Sequence, residues 1–215
     1  MSGPNAQSGV LSEALKVFSE ELLFAKYCLD TYKIVGLNAD HIHIAKTFYG
    51  HLQRMSHLHA ALSLAKLYER ETSHELWSIA GICRLINCGE ICNHAALDAF
   101  TKQYGVDPTG DWLADLETVR AKQGKNLKKH ISRIRTIRNT RLAHLAAVPS
   151  PDFMPSVAAF EALLQFAFDL YAAIRDGYEN VSPHRILQDN RQINSLVKIL
   201  NRSGVEDVKR KFPDI

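Results

Sequence analysis

No uninterrupted apolar run in this sequence reaches about 18 residues, the length that marks a membrane-crossing helix, and nothing else in it reads as a membrane protein. The opening residues, MSGPNAQSGV, lack both the charged n-region and the apolar h-region of a signal peptide. Cysteine is sparse: Cys28, Cys83, Cys88 and Cys92 fall at helical positions, which favours reduced thiols and a cytoplasmic protein. There is no Gly-rich phosphate loop and no Gly-x-Ser-x-Gly elbow, so the commonest nucleotide-binding and serine-hydrolase signatures are missing. No carboxylates pair within an apolar stretch to single out an acid–base hydrolase. Period-2 alternation and β-branched clusters are also absent, and there is no internal repeat, so the expected class is all-α.

What is present is a succession of helical patterns in 215 residues, enough to bury a substantial core. Residues 1–10 read as a disordered tail, 11–203 as one all-helical domain of about six to seven helices, and 204–215 as a C-terminal tail. Ser12 is the expected N-cap of a first helix running to about Val35, with Gly36 stopping it. A second helix, from near Asp40 to about Arg70, would pair with it as an antiparallel hairpin. Thr72-Ser73-His74-Glu75 has the form of a capping box and predicts a helix to about Asn87, with another from about Glu90 to Tyr104. The loop GVDPTGDW precedes a helical segment starting near Trp112, which Gly124 is placed to interrupt. From Pro155 to Tyr178 the chain is apolar nearly all round, with Glu161, Gln165 and Asp169 as one narrow polar strip. Such a helix belongs at the centre of a bundle or in an oligomer interface. Ser182-Pro183 would start a last helix to about Asn201.

Charge is unevenly spread. The chain carries a net charge of only +3, yet nine Lys/Arg lie between Arg120 and Arg141 and no acid occurs between Glu117 and Asp152. Such a local field attracts polyanions and suits nucleic acid; a solvated helix face is the plainer alternative. Within this segment, Leu127, Ile131, Ile134, Leu142 and Leu145 fall on one stripe at about 100° per residue, and Arg138 lands in its middle. A permanently charged guanidinium in an apolar stripe needs a partner. It is a structural ion pair, a phosphate ligand, or a residue at a cleft between subunits.

Other polar clusters are weaker. Cys83, Cys88, Cys92 and His94 match no common zinc spacing, and positions 83 and 88 are about 140° apart on an ideal helix. Buried thiols are the expectation, with no metal. In the pairs His41/His43 and His57/His59, residues two apart point to different sides of a helix, so ordinary surface or partly buried imidazoles are expected.

The stretch IRTIRNTRLAHL, Ile134 to Leu145, resembles a known family. Arg138-Asn139 followed after four residues by His144 fits the Arg-x(4–6)-His signature of HEPN domains, with a polar residue directly after the arginine and Ala143 before the histidine. The wording looks most like the abortive-infection branch. The motif itself is short; its co-occurrence with a helical chain and a basic field makes the likeness more specific, over about residues 11 to 202.

The resemblance implies a HEPN-like helical bundle and a metal-independent, cofactor-free endoribonuclease, a toxin or phage-defence effector. It implies a homodimer with two motifs at a shared cleft, RNA as substrate, and a cognate antitoxin protein as partner. In this sequence His144 would exchange protons with the attacking 2′-OH or the leaving 5′-oxygen. Arg138 would stabilise the phosphorane, and Asn139 would orient the histidine or hold phosphate. Arg141, Arg135 and Lys129 would bind substrate. Six residues of ideal helix put Arg138 and His144 about 120° apart, so either the helix distorts near His144 or the two act from different subunits. The alternative is a non-catalytic helical module of the same fold, binding RNA or protein, with Arg138 in a structural ion pair. The central segment has no aromatic residue on which a base could stack, so selectivity would come from shape or from a partner.

Overall fold

A computed structural model describes residues 4–42, 46–69, 78–86, 93–143 and 154–179. Among these the chain is all-α: α1 (Pro4–Leu37), a 3-10 turn (Ala39–His41), α2 (Lys46–Leu67), α3 (Ile79–Leu85), α4 (His94–Gln103), α5 (Trp112–Asn126), α6 (Lys128–Ala143) and α7 (Val157–Glu179). The described residues contain no strand. The capping box at Thr72–Glu75, the last helix expected from His184 and the C-terminal tail lie outside the described residues.

The α1/α2 hairpin is antiparallel, as its contacts descend along one helix while rising along the other. Lys66 meets Glu21 at 3.0 Å, the His59 ring meets Phe24, and His57 stacks on Tyr32. Buried small residues, Ala14 and Ala25 on α1 and Ala60, Ala61 and Ala65 on α2, suit close approach of the two helices. Helix α1 begins at Pro4, well before Ser12. Proline is tolerated in a first turn because its missing N–H would have been unsatisfied there, and buried Leu11 extends the stripe of Leu15, Phe18 and Leu22 upstream. Ser12 is therefore an exposed residue inside the helix rather than its cap.

Shorter helices start where a side chain takes over an orphan N–H. The Ser78 hydroxyl accepts from Gly81 N at 3.1 Å, the Asn93 amide oxygen from Ala96 N at 3.3 Å, and the Asp111 carboxylate from Ala114 N at 3.2 Å. In the loop before α5, Gly105 and Gly110 have φ of 68° and 87°, and buried Asp115 accepts from both the backbone N and the hydroxyl of Thr109.

Helix α7 crosses the interior and packs against α1, α2, α4 and α6. Phe160, Leu163, Ala167, Leu170 and Ile174 are nearly or fully buried, while Glu161 and Gln165 are exposed and Asp169 half-buried, as the polar strip predicts. By length and composition alone α7 could cross a membrane, with a mean hydropathy of 1.5 over its apolar window, 56% of which is buried within the fold. A Cβ on Gly177 would come within 2.7 Å of Leu97 Cδ2, so this glycine lets α4 seat directly on α7.

Candidate nucleic-acid interface on helix α6

Helix α5 passes into α6 at Leu127, not at Gly124. Glycine in a helix costs only about 1 kcal/mol, and Gly124 stays helical with open space around it. Leu127 N donates to Gln123 O at 2.8 Å and Ile131 N to Leu127 O at 2.9 Å, so helical bonding continues across the joint. Ile134 and Ile137 are almost wholly buried and Leu127 nearly so. The apolar stripe is therefore present, with Ile137 as an additional core residue. Leu142 is in α6, but its side chain, like Leu145 altogether, is outside the described residues.

Arg138 lies beside this buried face with 27% of its side chain exposed, and Nη1 forms an ion pair with the Glu69 carboxylate, whose side chain is 11% exposed. Its Nε donates to Asn139 Oδ1 at 3.1 Å. Of the three readings of Arg138, the ion pair is thus realised, with the side chain still part-exposed. Asn139 itself is exposed.

Arg135, one turn earlier, donates through Nη2 to the backbone carbonyl of Tyr68. That carbonyl lies just beyond the C-terminal end of α2, where the helix dipole favours a cation. Tyr68 in turn donates its hydroxyl to Leu163 O on α7 at 2.6 Å. The two arginines therefore hold Tyr68 and Glu69 at the end of α2. Tyr68, Glu69, Arg120, Ile131, Arg135 and Phe166 help to line an open cleft of about 490 Å³.

The remaining expected site residues divide cleanly. Lys129 is exposed and makes no hydrogen bond or ion pair among the described residues. The Arg141 side chain and all of His144 lie outside the described residues, although the backbone of α6 is helical through Ala143. Sequence reasoning missed Glu69 as the partner of Arg138. A faint signal existed: α2 contains no Asp or Glu along its whole length, so Glu69 is the first acid after it.

Where they are described, the cysteines are buried and His57 and His59 partly buried. Cys28 and Cys83 are buried, and burial, with a smaller contribution from Glu21, pushes the Cys28 thiol up to about 11. No group of three or more metal-ligating side chains occurs among the described residues, which do not include Cys88 and Cys92. His57 is stacked on Tyr32 with centroids 4.3 Å apart and lies 5.0 Å from Phe160; burial lowers its pKa, partly offset by a hydrogen bond to the Pro155 carbonyl. His59 is half-buried against Phe24, while the His41 side chain and His43 are outside the described residues.

Compared with family models, with curated proteins and with solved structures, the chain finds no match.

Proposed function

We propose that this protein is a HEPN-type, metal-independent endoribonuclease of the abortive-infection or toxin class, with Arg138 and His144 as its catalytic pair. The observation that carries the reading is the state of Arg138. Its guanidinium is held by Glu69 and Asn139 and is still part-exposed. A guanidinium already held in place and still part-exposed can meet a phosphate without first paying the entropy of ordering a long side chain.

In this reading His144 acts as proton acceptor for the 2′-OH or donor to the leaving 5′-oxygen, which its ordinary titration range permits. Arg138 stabilises the negative charge gathering on the phosphorane oxygens. On an ideal helix the six-residue spacing of Arg138 and His144 corresponds to about 120° around the axis and roughly 9 Å along it. That spacing favours a site composed from two copies of the chain, Arg138 of one with His144 of the other, hence a homodimer. A cytoplasmic location and a neutralising antitoxin protein belong to the same proposal.

A second reading has an observation of its own. The ties from Arg138 to Glu69 and from Arg135 to the Tyr68 carbonyl give both arginines structural work, as in a non-catalytic RNA- or protein-binding module. Expression in bacteria separates the two. Growth arrest by the wild type that Arg138→Ala and His144→Ala each relieve, with all three proteins folded and equally abundant, supports the nuclease. Equal growth effects of all three refute it, as does unfolding of His144→Ala, because a catalytic histidine is dispensable to the fold.

A further inference from the structure

Within the basic segment, the structure separates cations the fold employs from cations it does not. Arg120 pairs with Glu117 at 2.6 Å, Lys122 donates to Gly105 O at 2.9 Å, Arg135 takes the Tyr68 carbonyl, and Arg138 takes Glu69. Lys125, Lys128, Lys129 and Arg133 make no hydrogen bond or ion pair among the described residues, and the three lysines are exposed while Arg133 is half-buried. These four cluster at the α5/α6 joint. Lys129 and Arg133 are neighbours at i,i+4 on α6, and Lys125 stands one turn before Lys129 across the joint. Like charges at that spacing repel; α6 and α2 contain no acid, and the acids of α5, Asp115 and Glu117, are already engaged with Thr109 and Arg120. An unrelieved local cost of this kind is expected where a ligand supplies the missing charge.

We infer that Lys125, Lys128, Lys129 and Arg133 form a phosphate-backbone track for RNA at the α5/α6 joint. The inference rests on the nuclease reading for its choice of RNA and extends it to how the substrate is held. It also replaces Arg135 as a substrate ligand, since that guanidinium is engaged at the end of α2. Lys129 and Arg133 lie about 40° apart around α6 and roughly 6 Å along it, on a face turned away from Arg138, so the track is a holding site separate from that residue. No Phe, Tyr or Trp lies between Leu113 and Phe153, so the track has no stacking platform for splayed bases. It therefore reads backbone charge and tolerates any base sequence.

The test measures binding of full-length protein to short mixed-sequence and homopolymeric 2′-O-methyl oligoribonucleotides, which lack the free 2′-OH needed for cleavage. Lys128→Glu/Lys129→Glu is compared with wild type and with a control of equal charge change, Lys16→Glu/Lys102→Glu, made at exposed sites away from the joint. The track predicts about 10- to 100-fold weaker binding for the first pair only, similar across sequences, with a salt slope shallower by about 1.5–2. Its melting temperature stays at or above the wild-type value, because repulsion is relieved. Equal loss in both pairs, no loss in either, or wild-type binding to polyglutamate as tight as to RNA would overturn the track. Failure of the two proposals is distinguishable. Patch-dependent binding without cleavage of natural RNA sinks the nuclease and keeps the track; undiminished cleavage by Lys128→Glu/Lys129→Glu does the reverse.

Discussion

On α7, each residue of the polar strip finds its partner within the chain: Glu161 takes Lys33 at 2.6 Å, and Asp169 accepts from Tyr104, Gln103 and Gln165 at 2.7–2.8 Å. On α6 and the joint before it, four cations have no such partner among the described residues, although α6 packs its isoleucines into the same core. Both helices meet the demand for a buried apolar face. They differ in whether the polar side is satisfied by the protein, and that difference separates a helix that holds the fold from one available to a charged ligand. Arg138 sits between the two cases, paired with Glu69 yet part-exposed.

The contrast makes α7 costly to alter. Phe160→Ala removes a fully buried ring and should destabilise the protein by about 3–5 kcal/mol, read from urea or thermal unfolding; a loss under about 1 kcal/mol would mean that α7 is not the centre of the core. Gly177→Ala, where the new methyl meets Leu97, should cost about 1–3 kcal/mol by overpacking. An unchanged melting temperature would show that α4 does not seat on α7 as described.

On α6 the expected stability effects are smaller. Arg138→Ala withdraws the guanidinium from the largely buried Glu69 carboxylate and should cost about 1–2 kcal/mol, the low side for a buried pair because the arginine is partly exposed. Arg138→Ala/Glu69→Gln should recover part of that loss; failure to recover any of it would mean that the pair does not stabilise the fold. The smallest effect belongs to His57, at the meeting of α1, α2 and α7. Its pKa is lowered in the folded protein, so the unfolded chain binds the proton more readily and stability falls as pH drops below the ordinary imidazole value. Melting temperature should decline from about pH 7 to about pH 5 more steeply in the wild type than in His57→Gln. Parallel curves would remove His57 from the account.

Much of this arrangement was legible in the sequence because pattern and packing agreed. The polar strip of α7, the start of α5 at Trp112 where the loop GVDPTGDW ends, and the hairpin of α1 with α2 follow from periodicity and turn chemistry acting locally. Ser12 and Gly124 misled for a shared reason. Each is a residue that permits a helix boundary without enforcing one, and buried Leu11 and Leu127 decided where the chain continues or bends. Arg138 could be located on the apolar stripe, but its partner could not, since periodicity along α6 carries no information about what lies across from it. The separation of employed from unemployed cations likewise needed the tertiary contacts of Arg120, Lys122 and Arg135.

The most direct measurement is RNA cleavage by purified wild type, Arg138→Ala and His144→Ala in excess EDTA, with the product ends analysed. The account predicts cleavage by the wild type alone, leaving 2′,3′-cyclic phosphate ends. Cleavage that persists in both variants, or that EDTA abolishes, would contradict it.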